Sequence, residues 1–206
     1  MDAPDISVIV PVYNLERFIT PLLDSLKAQD TGRYTAEYIF VINNCNDRSE
    51  DVIRESGLEC RITHCKKQGC GPARNAGFDI CSGRYVWFMD GDDWLLSDTA
   101  LRDVINAMDN DSLDILRVPF SKEKFGGEYY SMVWQYVFRR EYIRDIRFID
   151  RQPDEDCVFM DEVFAKAGYT RATYFWTMPH MLRELYYYNY MRCGSNMYRF
   201  LSGEKI

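Results

Sequence analysis

Apolar runs and polar breaks alternate along the first 118 residues with the spacing of strands and helices. Residues 6–10, Ile-Ser-Val-Ile-Val, read as a strand buried on both faces, ending at Pro11-Val12-Tyr13-Asn14. Helical spacing follows, with Phe18, Ile19, Leu22, Leu23 and Leu26 on one side and Pro21 suited to the first turn. Residues 38–42 predict a second strand, which runs into the polar loop Asn43-Asn44-Cys45-Asn46-Asp47, and Ser49 is placed to cap a short helix. Residues 60–65 predict a weaker third strand, 85–89 a fourth and 115–118 a fifth. Between the third and fourth, Pro72 is suited to the first position of a helix; after the fourth, Ser97 is placed to cap a helix over 98–110. This alternation predicts an α/β fold, a mostly parallel central sheet flanked by helices on both faces.

After Pro119 the texture turns aromatic and Arg-rich. Gly126-Gly127 predicts a turn. Glu155-Asp156 opens a helix running to about residue 166, residues 186–192 form a Tyr-rich late strand, and Gly194-Ser195-Asn196 a turn. With no linker composition and no repeat, residues 1–206 are expected to form a single domain with halves 1–118 and 119–206.

The fourth strand breaks into Asp90-Gly91-Asp92-Asp93. If the chain stays extended there, Asp90 and Asp92 project to one side, a pair of hard oxygen donors suited to Mg²⁺ or Mn²⁺. Gly91 would let a ligand approach the backbone, and the carboxyl end of a strand is where open α/β sheets bind ligands. The same acids also suit a solvated turn or a helix cap. A helix-loop-helix calcium site is excluded, because Leu95 and Leu101 stand where its glycine and closing glutamate belong. Upstream, Gly69-Cys70-Gly71-Pro72-Ala73-Arg74 brings a helix N-terminus and a guanidinium fork to a loop, an arrangement suited to an anion; a plain loop-to-helix junction would look the same. Arg74 occupies the third glycine position of the dinucleotide fingerprint, so that motif is absent.

Composition narrows the class. With 47% hydrophobic and 28% charged residues the chain is an ordinary globular one. A formal charge of -7 argues against a general nucleic-acid binder. Seven cysteines without a Cys-x-x-Cys pair fit neither a zinc ribbon nor a disulfide framework and point to free thiols in a reducing cytoplasm. Two histidines make a His-rich metal site improbable, and His64 reads as structural. No apolar run approaches the roughly 20 residues that span a bilayer, and the acidic start at residues 1–5 carries no secretory signal.

Taken in order, several blocks resemble the family 2 glycosyltransferases. They are Ser7-Val8-Ile9-Val10-Pro11-Val12-Tyr13-Asn14, Gln68-Gly69-Cys70-Gly71-Pro72-Ala73-Arg74-Asn75-Ala76-Gly77, Phe88-Met89-Asp90-Gly91-Asp92-Asp93-Trp94-Leu95, Glu155-Asp156, and the Tyr-rich block ending in Arg192-Cys193-Gly194-Ser195. The resemblance implies a glycosyltransferase A fold and inverting transfer of a sugar from a nucleotide diphosphate donor, expected to be a UDP-sugar, to a glycan or lipid-linked glycan acceptor. Residues 1–118 would be the nucleotide-binding half and 119–206 the acceptor half. It implies that Pro11, Tyr13 and Asn14 border the nucleoside, that Gly71, Arg74 and Asn75 face the nucleotide, and that Asp90, Gly91 and Asp92 form the Asp-x-Asp motif holding Mn²⁺ or Mg²⁺, with Asp92 the direct ligand and Asp90 nearer the ribose. Asp93 would point elsewhere. Asp156 would be the general base with Glu155 in support, Trp134 would lie on the acceptor side, and Arg192 would meet the donor phosphates. Where the family carries an Asp pair touching the base, this chain has Ile42 and Asn43, an amide in place of a charge. The processive members' Gln-x-x-Arg-Trp motif is absent, which implies single-sugar transfer, at the cytoplasmic face of a membrane in polysaccharide or glycolipid assembly. A catalytically impaired binding member and a sugar-nucleotide nucleotidyltransferase remain the alternatives, although the latter's long Gly-rich signature after the first strand is missing. A glycoside hydrolase using Asp92 and Asp156 would leave Arg74 and the Gly69 loop without a purpose.

Overall fold

The computed structural model describes residues 3–121, 132–150, 154–169 and 186–187. In chain order the elements are β1 (Ile6–Val12), α1 (Thr20–Lys27), β2 (Ala36–Ile42), α2 (Ser49–Glu55), β3 (Arg61–His64), α3 (Cys70–Ile80), β4 (Tyr85–Phe88), β5 (Trp94–Leu95), α4 (Ala100–Asn110), β6 (Ile115–Arg117), β7 (Phe120–Ser121), a 3-10 turn at Val133–Gln135, β8 (Tyr136–Arg139), α5 (Glu155–Lys166) and β9 (Tyr186–Tyr187). Six strands form the main sheet in the order β3-β2-β1-β4-β8-β6. β3, β2, β1 and β4 are parallel, while β8 runs antiparallel to both of its neighbours. The expected mostly parallel central sheet is therefore present. β8, from the second half of the sequence, is inserted between two strands of the first.

The two-sided burial of β1 and β2 explains their apolar runs. Ile6, Val8, Val10 and Val12 of β1, with Phe40 and Ile42 of β2, face a core built with α1 and α4. Ile9, Ile39 and Val41 face the opposite core, which α3 and α5 cover. α4 contributes Leu101, Val104, Ile105 and Met108, all fully buried; each contributes about 1.5–3 kcal/mol of burial.

Several expectations are corrected in detail. β1 does not stop before Pro11 but runs through it to Val12. The Ile9 carbonyl accepts from Met89 N–H, so the nitrogen of Pro11, two residues on, faces the same side, where pairing with β4 has ended. The missing N–H therefore costs the sheet little. Phe18 and Ile19 lie in the turn before α1, not within it. Ser49 is the first residue of α2 rather than its cap: Asp47 Oδ1 accepts from Ser49 N (3.0 Å) and Oγ (2.5 Å). Freed from capping, Ser49 Oγ accepts from Leu15 N at 2.7 Å and ties α2 to the end of β1. Ser97 likewise lies outside α4, where its hydroxyl accepts from Thr99 N and makes no cap bond to the helix. The expected fifth strand is β6, preceded by the short β5 that the aromatic Trp94 had not signalled. Of the late strand, Tyr186–Tyr187 is described; β9 pairs antiparallel with β5 and parallel with β7 in a second, three-stranded sheet. The turns expected at Gly126-Gly127 and Gly194-Ser195-Asn196 lie outside the described residues.

Candidate active site

Parallel pairing delivers the carboxyl ends of β1, β2, β3 and β4 to one edge of the sheet. Pro11 is buried inside β1, whereas Tyr13 just beyond it is 50% exposed, an open ring at that edge. Asn14 adopts a left-handed backbone (φ 52), and its Oδ1 accepts from Asn46 N at 2.9 Å, which joins the loops after β1 and β2.

Two amides expected to meet the nucleotide are used by the protein itself. Asn43, 3% exposed, donates from Nδ2 to the carbonyls of Cys65 (2.9 Å) and Lys67 (2.7 Å), and its Oδ1 accepts from Gly69 N at 2.8 Å. Both of its donors are spent, so it braces the loop leading to α3 instead of donating to a base edge. Asn75 grips the backbone of Phe148, donating to its carbonyl (2.8 Å) and accepting from its N–H (3.0 Å). Gly71 serves the same contact. A Cβ there would meet the Ile149 carbonyl at 2.6 Å, so the missing side chain admits the chain at 148–149 rather than a ligand.

The four residues after Met89 are not extended. Asp93 N donates to the Asp90 carbonyl (3.3 Å), closing a turn at the end of β4. A Cβ on Gly91 would fall 2.4 Å from a Leu15 methyl, so this glycine admits core packing. Asp92 is half-buried. Asp93 is 1% exposed and accepts from the Tyr186 hydroxyl at 2.5 Å; the same hydroxyl accepts from Asp90 N at 3.2 Å.

Arg74 is the centre of the site. It rises from the first turns of α3, is 3% exposed, and spans two acidic groups far apart in the chain. Nη2 donates to Asp90 Oδ1 (2.8 Å) and Nη1 to Asp156 Oδ1 (2.5 Å), with Glu155 Oε1 at 3.8 Å. Phe148 lies against the guanidinium, 5.4 Å from its ring centroid. Arg74 Nε and Glu155 Oε2 are buried without hydrogen-bond partners. Asp156 Oδ2 accepts from Val133 N at 3.2 Å, so the 3-10 turn before β8 helps to aim it. Burial pushes the Asp156 carboxyl up to about 6; Arg74 works against this rise, and Asp90 and Glu155 add to it. Burial also raises Glu155, with Arg74 opposing, while its three acidic neighbours keep Arg74 charged against the cost of burial.

Trp134 corrects the expectation of an acceptor platform. It is 1% exposed, stacked on Tyr186 (5.0 Å between centroids, 11° between planes) and edge-on to Phe120, so its ring is core packing. Arg192 lies outside the described residues. His64 sits exposed on the edge strand β3, 2.9 Å from Glu50. Cys45, Cys60, Cys65, Cys70, Cys81 and Cys157 are free thiols; burial pushes Cys70 up to about 12, which keeps it inert. Sequence reasoning missed Tyr186 and the Val133 N–H. Tyr186 stood in an aromatic run with nothing to single it out, and a backbone donor leaves no trace in side-chain identity.

One arginine thus joins the acids that end β4 to the acids that open α5, and the family model "Glycosyl transferase family 2" matches the chain over residues 7–174, encompassing all of these groups. The chain belongs to glycosyl transferase family 2. Among curated family relatives, the minor teichoic acid biosynthesis protein GgaB of Bacillus subtilis is 35% identical over 132 residues, 61% of this chain and 15% of its own length. Staphylococcus aureus TarS 1-349, crystallised with UDP-GlcNAc, superposes with a TM-score of 0.81 at 22% identity over 98% of this chain and 62% of that one. The mannosyltransferase PcManGT of Pyrobaculum calidifontis, crystallised with GDP-Man and Mn²⁺, gives a TM-score of 0.75 at 17% identity over 96% of this chain and 60% of that one. The chain therefore spans a small part of GgaB and about three fifths of each crystallised chain, and these last two likenesses establish the fold.

The Mn²⁺ or Mg²⁺ that the resemblance implies suits the donor set. Asp90, whose side chain is 28% exposed, and the half-buried Asp92 are hard oxygen donors at the sheet edge. Among the described residues no group of three or more His, Cys, Asp or Glu converges to hold a metal. Two carboxylates are what Mg²⁺-type ions take when substrate phosphates complete the shell.

Proposed function

We propose that the chain is an inverting glycosyltransferase that moves one sugar from a nucleotide diphosphate sugar, a UDP-sugar in the first instance, to a hydroxyl of a glycan or lipid-linked glycan acceptor. The observation that carries this is the Arg74 bridge, which places Asp90 and Asp156 on two arms of one guanidinium. Residues 1–118 supply the nucleotide side and residues 119–206 the base and acceptor side. Tyr13, exposed at the edge, offers a face to the base. Asp92 and Asp90 would hold Mn²⁺ or Mg²⁺, which would supply charge neutralisation for the departing diphosphate.

Asp156 then takes the proton of the acceptor hydroxyl. The acceptor oxygen bonds to the anomeric carbon from the face opposite the leaving group, and the carbon–oxygen bond to phosphate breaks with its electron pair leaving on the nucleoside diphosphate. Asp156 has each oxygen engaged once, by Arg74 and by Val133 N, and so retains lone pairs for that proton. Its raised proton affinity lies close to the operating pH of a base. The kinship with a teichoic acid protein supports a polyhydroxylated surface polymer as acceptor. Among the described residues no helix is long and apolar enough to cross a membrane.

The test is a panel of UDP- and GDP-sugars with Mn²⁺ and a polyol-phosphate acceptor, following nucleoside diphosphate release. Acceptor-stimulated release from one donor supports the reading; cation-dependent binding without release supports the second one, a donor-binding member without turnover. The commitment of Asn43 to backbone, where the family pattern has an acid for the base, is the observation favouring that second reading.

A further inference from the structure

We infer that Tyr186 is a positioning residue for the cation-binding turn: its hydroxyl clasps both ends of Asp90-Gly91-Asp92-Asp93 and thereby sets where the Asp92 carboxylate points. The inference rests on the transferase reading above.

A single oxygen makes two bonds of opposite sense. It donates to Asp93 Oδ2 (2.5 Å), the last residue of the turn, and accepts from Asp90 N (3.2 Å), the first. The Asp93 N–H to Asp90 carbonyl bond closes the same loop from the backbone side. The ring is fully buried, stacked on Trp134 and tilted against Trp87 at 6.0 Å, so the hydroxyl has no rotational slack. β9 is held from both sides, by β5 immediately after the turn and by β7, with Leu95 and Phe120 as the register partners of Tyr186. Asp92, between the clasped ends, has its backbone direction set by them. Asp93 is thereby explained as well. It is a buried acid whose carboxyl accepts a short hydrogen bond from the clasp.

Tyr186→Phe removes one oxygen, leaving a buried carboxylate without this donor and a backbone N–H without this acceptor. The test is Mn²⁺ titration followed by the free-ion electron paramagnetic resonance signal, with UDP and, separately, GDP as probe, alongside the melting temperature of the metal-free protein. The expected result is a tenfold or larger rise in half-saturating Mn²⁺ for Tyr186→Phe. Val163→Ala, a cavity variant in the core beneath α5, lowers the melting temperature with half-saturation within twofold of wild type. Should Tyr186→Phe fail to fold, Asp93→Asn keeps the acceptor but weakens the bond, with an expected three- to tenfold rise. Half-saturation within twofold of wild type in whichever of the two variants folds overturns the clasp while leaving the transferase reading intact. Absence of nucleotide-dependent Mn²⁺ binding in the wild type itself overturns both.

Discussion

Two acidic clusters do different work in this fold although their residue types are the same. The turn after β4 spreads its carboxylates: Asp90 goes to Arg74, Asp92 stands half-buried, and Asp93 goes inward to Tyr186. The pair at the start of α5 is packed in, with the Asp156 side chain 9% exposed and the helix N-terminus favouring its charge. The Asp90 side chain keeps 28% exposure. Partial exposure of Asp90 and Asp92 suits the first cluster to the proposed cation, while burial raises the proton affinity of Asp156, as the proposed base requires. The lesson is that surroundings, rather than amino-acid identity, divide the labour, and that Arg74 keeps the two in register.

That division is broken most severely by exchanging one carboxylate on each side. Asp156→Asn is expected to lose about 10²–10⁴-fold in turnover while donor binding stays within a few-fold, read by nucleoside diphosphate release and by a UDP thermal shift with Mn²⁺. Asp92→Asn is expected to show the reverse emphasis, losing the Mn²⁺-dependent part of the thermal shift. An Asp156→Asn enzyme of full activity would sink the base assignment. Arg74→Met tests the link, since it strands buried acids without their cation; a loss of about 3–5 kcal/mol in urea unfolding is expected, and a loss below 1 kcal/mol would show that the bridge is dispensable. Acidity offers a finer probe. A base whose carboxyl titrates at about 6 is ionised above that pH and protonated below it, so kcat/KM should fall with decreasing pH through about 6, approaching tenfold per pH unit on the acid limb. A flat profile between pH 7 and 5 would contradict this. Asn43→Ala should cost about 1–3 kcal/mol, through the stranded groups around the Gly69 loop, and should raise the donor KM more than it lowers kcat.

Legibility followed the range of the interactions involved. β1, β2, β4 and β6 were readable because burial in the sheet forces apolar runs, β3 only weakly because it is a partly exposed edge strand, and α5 because acids favour a helix start. β8 was not assigned as a strand: its four residues carry little periodicity, and its place between β4 and β6 is a non-local outcome. The caps were misassigned because Asp47, two residues before α2, does what Ser49 was expected to do. The carboxylates and Arg74 were legible as chemistry, but their directions were not. The bonds of Asn43 and Asn75 to backbone were not foreseen because a sequence does not reveal which backbone amides and carbonyls lie within reach. Trp134 was put at the acceptor because aromatic residues serve equally well as platforms and as core.

The insertion of β8 between β4 and β6 has a consequence for biogenesis. A nascent chain leaves the ribosome N-terminus first, so until residue 139 emerges β4 has an open hydrogen-bonding edge, the kind of template that invites wrong partners. The Asp156 contact with Arg74 closes a span of 82 residues and the Tyr186 contact with Asp90 one of 96. Reactive machinery therefore cannot assemble on an unfinished polypeptide, and a stalled translation product ending before β8 should be both inert and sticky.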